Sequence, residues 1–411
     1  MTQTRPRATF RDVFGVAEFR WMWFAELCSI AGDQLARVAL SYMVFRATGS
    51  SALTGLTYGL TFAPSLLGGV LLAGVADRFR RREVMVAVDV LRAGLVLAVA
   101  IPGLPFWVLC TLVGAVSLLN PVFKAAQVAS LPAVLAGERF LVGMAVRNMT
   151  VQSAQVLGFG AGGLLVTATS PRTALVVDAV TFALSAALLR VGMADRRAPG
   201  GDGQRPGWAR SMRQGARMTF TDPALLSLVL LTWMMAALTV YEGLAAPYAA
   251  AAGGGAATVG LLLAGDPVGS VVGAYVLARW VPAHRRSPLI GPLAMASAAV
   301  LVVCLARPGI VVSFVVFAVS GGLGTAVVMQ ATSVVTLAVP DEHRGRVVGL
   351  SNTGLGAASG LSPIAGGFVA DQIGPPATVA LFGVAGLVLV IPLAVLWRRA
   401  FRRDPRRWDP T

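Results

Sequence analysis

Histidine is nearly missing from this chain. Its only two, His284 and His343, fall in charged connectors, which leaves the apolar segments with no imidazole to act as ligand or base. Cysteine is almost as scarce. Cys28, Cys110 and Cys304 lie inside apolar segments, with no C-x-x-C pair and no even framework, so neither disulfides nor a thiolate metal site is indicated. Charge is thin as well, at 13% of residues, and Lys124 is the one lysine. The chain contains neither H-E-x-x-H nor a G-x-x-x-x-G-K-[ST] phosphate loop, the parts a zinc hydrolase or an ATP-driven pump would need. The expectation is a protein without metal, without a bound cofactor and without enzymatic activity.

What is present is apolar surface. Of 411 residues 56% are hydrophobic and the mean hydropathy is +0.73, outside the range of soluble domains and typical of an integral membrane protein. The net charge of +15 does not point to nucleic acid, because the arginines occur in short bursts between apolar segments rather than on one solvated face. The first twenty residues are basic and polar, and the apolar segment after them is too long and too charged for a cleaved signal, so it is expected to remain as an anchor. About 20 residues cross roughly 30 Å of hydrocarbon. By that measure twelve spans are expected, at 21–46, 52–76, 84–102, 105–126, 143–168, 172–192, 224–248, 257–280, 287–306, 309–338, 346–370 and 376–397.

Basic residues resist translocation, so their placement sets orientation. With both termini cytoplasmic, only Arg46, Arg172 and Arg307 of the 34 Lys and Arg lie outside and Arg37 and Arg92 lie within the membrane, which leaves 29 on the cytoplasmic side. One connector is long. Residues 193–222 are rich in Gly, Pro and Arg and separate a first group of six spans (1–192) from a second (223–397), with a basic tail at 398–411. Inside the connector Trp208, Met212, Ala216 and Phe220 recur every four residues among Arg210, Arg213 and Arg217, the pattern of a basic helix on the inner leaflet or of a linker that is simply basic.

The two halves repeat. A shift of 204 places Asn148 on Asn352, the pair Gly162-Gly163 on Gly366-Gly367, Pro171 on Pro375 and Arg81-Arg82 on Arg285-Arg286. A six-plus-six repeat around a central loop is an architecture in which two bundles flank a midplane site and rock against each other.

Three stretches carry a resemblance. "AGVADRFRRR" (73–82) resembles the cytoplasmic G-x-L-A-D-R-x-G-R-R/K signature of the major facilitator superfamily, with Ala76, Asp77, Arg78, Arg81 and Arg82 matching. "GFGAGG" (158–163) resembles the G-P-x-x-G-G antiporter motif of drug exporters, with Gly158, Gly162 and Gly163 in place and Phe159 where the motif has proline; the repeat copy "SPIAGG" keeps Pro363. "AGDQLARVALSYMVFRATGSSALTGL" and "PDEHRGRVVGLSNTG" are similar in texture to the branch of macrolide-efflux pumps and enterobactin-type exporters. The resemblance implies an all-α membrane fold of twelve helices in two bundles. It also implies a secondary exporter of a small amphipathic molecule, such as a drug, antibiotic or siderophore-like metabolite, driven by a proton gradient. An importer or facilitator of a small solute, or a non-transporting membrane protein, is the alternative. Arg- and Ala-rich usage suits a high-GC bacterium and its inner membrane, and a monomer suffices for the architecture.

A rocking transporter closes its cytoplasmic mouth with contacts made in one state only. Asp77, Arg78, Arg81 and Arg82, with Asp89 and Arg92 three residues apart on the next helix, are the expected gate; a bare topology signal is the plainer reading of the arginines. In the first span Glu26, Asp33 and Arg37 share one stripe, and Asp33 lies about twelve residues from either end. A carboxylate balanced between burial and a nearby arginine can take and release a proton. A static Asp33–Arg37 pair is the alternative. Weaker cavity candidates are Asp178, Glu242, Asp266, Lys124 and Gln127, with Asp266 placed before Pro267, where a helix break would line a cavity.

Overall fold

The computed structural model describes residues 9–71, 78–196 and 208–408, and among these every regular element is a helix. In chain order they are α1 (Phe10–Phe14), α2 (Ala17–Thr48), α3 (Ser51–Gly59), α4 (Ala63–Leu71), α5 (Arg81–Val99), α6 (Phe106–Val134), α7 (Glu138–Ala168), α8 (Pro171–Gly192) and α9 (Trp208–Thr221). There follow α10 (Pro223–Leu238), α11 (Val240–Gly243), α12 (Ala245–Ala251), α13 (Ala256–Trp280), α14 (Ala283–Leu301), α15 (Ile310–Ala338), α16 (Asp341–Ile373), α17 (Pro375–Arg403) and α18 (Pro405–Trp408).

Local signals explain the starts. Ser50, Ser170 and Asp222 each accept a backbone N–H as N-caps, and Pro171, Pro223 and Pro375 occupy the first turn, where a missing N–H costs nothing. At α1 Thr9 and Asp12 form a reciprocal capping box, and the Thr9 backbone N–H, helped by its hydroxyl, holds the Asp12 carboxyl below the usual range.

Among the described residues eight helical segments are long and apolar enough to cross a membrane. The remaining four expected spans fall on more polar elements: α2 carries Glu26, Asp33 and Arg37, α5 carries Asp89 and Arg92, and α16 is rich in Gly and Ser. The expected span 52–76 is divided between α3 and α4 by a turn at 60–62, and its end lies outside the described residues. The break expected at Pro267 is absent. Helix α13 runs through it without interruption, packed along its length on α15. The interruption comes one span earlier instead, where Thr239 and Leu244 separate α10, α11 and α12.

Contacts group the chain into two compact units. The first holds the residues up to Ala39 and those from Pro64 to the central connector. Here α5 packs on α6 and α8, and a core of Phe19, Met22, Met85, Phe123 and Leu189 fills one end. The second unit holds Leu40–Ala63 and everything after the connector, so α3 folds with the second half of the chain. The reason is a close fit of α3 on α16: a methyl group at Gly55 would overlap the Pro363 carbonyl, and one at Gly367 would meet the Ser51 carbonyl and Ala52. Helix α9 packs in this unit too, with Gly215 against the Arg346 backbone.

The repeat found in the sequence has a packing counterpart. Gly162 of α7 lies against Leu35 and Val38 of α2, and Gly366 of α16 lies against Val240 of α11. In each unit a glycine of the fifth helix of the half seats its first helix, the small-residue contact expected where apolar lipid supplies no driving force between helices.

Candidate functional site

The centre of the first unit is a buried charge network. Arg92 is 2% exposed and its Nη1 faces Asp89 Oδ1 at 3.4 Å. The guanidinium also donates to Asn120 Oδ1 and lies over the Phe123 and Phe182 rings, at 5.2 and 5.4 Å from their centroids. Asp89 accepts from Ser185 Oγ at 2.6 Å. Asp178 is buried, accepts from Thr181 Oγ1 and sits so close to Gly32 that any side chain there would collide with its carboxylate.

Asp33, next to Gly32, is half-buried. The positive charges acting on it most strongly are Arg92, then Arg37, then Lys124. Arg37, one turn along the same helix, directs its Nη1 to Gln34 Oε1 at 3.4 Å. Three carboxylates (Asp33, Asp89, Asp178) and three cations (Arg37, Arg92, Lys124) thus share one electrostatic neighbourhood. Glu26 stands apart. It accepts from Arg147 Nε at 2.7 Å, and Arg147 Nη2 donates to Gln127 Oε1 at 3.1 Å.

The residues expected at the gate divide into two groups. Asp77 lies outside the described residues, and Arg78 is exposed. Arg81 Nη1 donates to the Ala129 carbonyl at 2.6 Å, and Arg82 donates to the Met193 carbonyl at 3.2 Å and pairs with Asp195 at 3.2 Å. Arg80 pairs with the same Asp195 at 2.6 Å. Asp89 and Arg92, the deeper pair, are part of the buried network. The neighbouring Arg196 is bound by both oxygens of Glu18, whose hydrogen bonds raise the guanidinium further into its charged form.

The second unit handles its carboxylates differently. Asp266 Oδ2 accepts from Tyr241 OH at 2.6 Å and Oδ1 from Ser270 Oγ at 3.3 Å. Glu242 accepts from Tyr58 OH at 2.9 Å. Asp371 accepts from Ser50 Oγ and from the Ser51 and Ala52 N–H groups at 2.8, 2.6 and 3.2 Å, which makes it the anchor of the α3 N-terminus. Of the antiporter-like glycines, Gly158 contacts Gln34 and Ala31, Gly162 contacts α2, and Gly163 is buried.

Several of these residues escaped sequence reasoning. Arg147 lies five residues into the expected span 143–168, and the rule that an intramembrane charge needs a partner would have singled it out. Asn120, Ser185 and Tyr58 carry no such signal, being neutral residues whose role appears only with their partners.

A polytopic helical bundle with ionisable networks inside its spans is the construction of a membrane transporter. Residues 22–245 and 243–411 match the Major Facilitator Superfamily, and the chain belongs to that superfamily. A relative from Bacillus subtilis (strain 168), the uncharacterized MFS-type transporter YkuC, is 26% identical over 184 residues, which span 44% of this chain and 42% of that protein. The fold is also that of several solved transporters. A nucleoside transporter, NupG, superposes with a TM-score of 0.75 at 12% identity over 93% of this chain and 99% of its own. A bacterial homolog of the human lysosomal transporter Spinster, inward-facing and occupied, gives 0.71 at 14% over 96% and 98%. A POT family transporter in complex with 5-aminolevulinic acid gives 0.71 at 11% over 97% and 99%. The protein is therefore a multi-pass membrane protein of a transporter family.

Proposed function

We propose that the protein is a twelve-span secondary exporter of the bacterial inner membrane, with both termini cytoplasmic, that exchanges a small amphipathic molecule for protons. The supporting observation is the position of Asp33, half-buried at mid-span beside Arg92, Arg37 and Lys124. With Asp33, Asp89 and Asp178 ionised the network is balanced. A proton on Asp33 leaves a surplus of positive charge, and deprotonation restores the balance, so substrate charge and proton compete for one electrostatic niche. Linkage makes that competition the basis of exchange: whatever favours substrate disfavours the proton, reciprocally. Arg37 tunes the niche, and Glu26, paired with Arg147, is a second proton-coupling residue outside it. Asp77, Arg78, Arg81 and Arg82, with Asp89 and Arg92 behind them, close the cytoplasmic mouth. The partners are the lipid bilayer, protons and the substrate; a monomer suffices, and the proton gradient replaces any bound cofactor.

The test uses purified protein in vesicles carrying a pH gradient, with a fluorescent pH reporter and no nucleotide. A panel of macrolides, siderophores and amphipathic cations is added in turn, and a transported compound dissipates the gradient. Asp33→Asn is expected to abolish that response while Asp33→Glu keeps part of it. Recovery of transport in Asp33→Asn combined with Arg37→Gln would reduce Asp33 to a static ion-pair partner, because removing both buried charges is tolerated where removing one is not.

A further inference from the structure

A cavity of about 240 Å³ opens inside the second unit, between α10, α11, α13, α14, α15 and α16. Its polar lining comes from Asp266 and Tyr241 together with the hydroxyls of Thr239, Ser297, Ser320, Thr325 and Ser359. The rest is apolar, chiefly Met235, Val328, Met329 and Leu355. No arginine, lysine or histidine lines it. The hydroxyls are largely committed: Ser297 donates to the Ser320 carbonyl at 2.9 Å, Ser320 donates back to the Ser297 carbonyl at 3.1 Å, and Thr325 bonds Ser270 at 2.7 Å. Asp266 is the one ionisable acid on the wall.

A carboxylate offers about four lone-pair positions. Tyr241 and Ser270 use two on Asp266, and no described cation pairs with it, unlike Asp89 or Glu26. An intramembrane carboxylate with unfilled acceptor sites and no counter-ion is complementary to a positive charge brought by a ligand. The Tyr241 ring adds a second attraction. It is a lining residue of the cavity and stacks on Phe317 at 4.4 Å and 8°, and an aromatic ring in a cavity wall attracts ammonium groups. The volume equals roughly eight liquid waters and falls below the ~300–1,000 Å³ of pockets that enclose whole drug-sized ligands. The cavity suits one compact cationic end of a molecule.

We propose that this cavity is a subsite for the ammonium-bearing end of the transported molecule, which makes the substrate class organic amines or quaternary ammonium compounds with apolar bodies. The inference rests on the transporter reading above and deepens it. Asp266 neutralises the ammonium, Tyr241 orients the carboxylate and faces the cation, and the methionine and leucine side chains cover the apolar remainder.

The probe is benzyltrimethylammonium, permanently charged and compact, with its binding to the full-length protein in detergent followed by calorimetry at neutral pH. The carbon isostere neopentylbenzene and the anion phenylacetate are the competitors. Wild type is expected to bind the cation, and neither competitor to displace it. Asp266→Asn is expected to weaken binding tenfold or more. Gly324→Leu tests the same site with Asp266 intact. A Cβ at Gly324 meets Met235 and Ser297 at an ordinary 3.8 Å, so the added side chain fits the backbone and fills the cavity, and binding is expected to fall tenfold here as well. Gly94→Ala, where a Cβ meets nothing, is the control that leaves affinity unchanged. Failure of wild type to bind, wild-type affinity in both cavity variants, or equal displacement by phenylacetate would each overturn the inference. Proton-linked transport of other compounds in the presence of such a result leaves the exporter reading standing. Cation binding at Asp266 without any proton-linked movement leaves the subsite standing and removes the exporter.

Discussion

The two units stabilise their membrane interiors by different means. All four charged side chains that are fully buried among the described residues, Glu26, Asp89, Arg92 and Asp178, belong to the first unit. In the second unit the buried polar groups are Ser, Thr and Gln, and the half-buried Asp266 answers to the hydroxyls of Tyr241 and Ser270 rather than to a cation. Close helix approach takes the place of charge there: α13 and α15 meet at Gly269 and Gly273 against Ala318 and Gly322. Under the exchange proposed above, the balanced ion-pair network is suited to moving a proton and the uncompensated carboxylate to receiving a cation.

The contrast is broken most directly at Arg92. Arg92→Met leaves Asp89 buried without its cation, and removal of one partner from a buried pair costs roughly 3–5 kcal/mol. Melting of the detergent-solubilised protein is expected to fall accordingly and to recover by at least half in Asp89→Asn combined with Arg92→Met. A melting point unchanged in the single variant would show that the network contributes nothing to the first unit.

In the second unit the corresponding weak point is a glycine. A methyl at Gly269 overlaps the Ala318 carbonyl oxygen, so Gly269→Ala must push α13 from α15, at a cost of about 1–3 kcal/mol for overpacking. The same melting assay reads it. A variant as stable as wild type would mean that close backbone approach is not what holds these helices.

Asp371 sharpens the picture at the end of α16. Asp371→Ala removes three hydrogen bonds from residues 50–52, and because the carboxylate is exposed the expected loss is about 1–2 kcal/mol. Hydrogen exchange should quicken over Ser51–Gly59 and stay unchanged over α5. Equal protection of Ser51–Gly59 in both proteins would assign the α3–α16 contact to glycine packing alone. The smallest effect is expected at the exposed Gly94 of α5, where Ala meets open space and gains about 0.5 kcal/mol or less from helix propensity.

Much of this arrangement was legible in the residues. The 204-residue shift that aligned Gly162 with Gly366 has a counterpart in the packing, since a Cβ at either position would press on the helix beside it. The mid-span charges Asp33, Asp89 and Arg92 were recognisable because ionisable groups in apolar stretches are rare and costly. Spacing along α2, however, put Glu26, Asp33 and Arg37 on one stripe, whereas Glu26 is held by Arg147 of α7 and Asp33 feels Arg92 of α5 and Lys124 of α6 as well as Arg37. The proline at 267 suggested a break that the packing of α13 on α15 suppresses, whereas the interruption at Leu244 precedes Pro247, which cannot donate to the Gly243 carbonyl, and Thr239 has no proline beside it.

By itself the sequence determined where the apolar stretches fall, where the helices start and which residues repeat between the halves, because hydrocarbon thickness, capping and side-chain size act on neighbours along the chain. Only the tertiary structure decided which distant groups meet. Asp89 and Arg92 are near neighbours on one helix, but Ser185 lies 96 residues from Asp89, Arg147 121 from Glu26 and Ser50 321 from Asp371, and the period of a helix specifies the face a side chain occupies but not the helix that will stand opposite it. The same limit placed Leu40–Ala63 with the second unit: its attachment depends on glycines and an aspartate in α16, which no local pattern in residues 40–63 records.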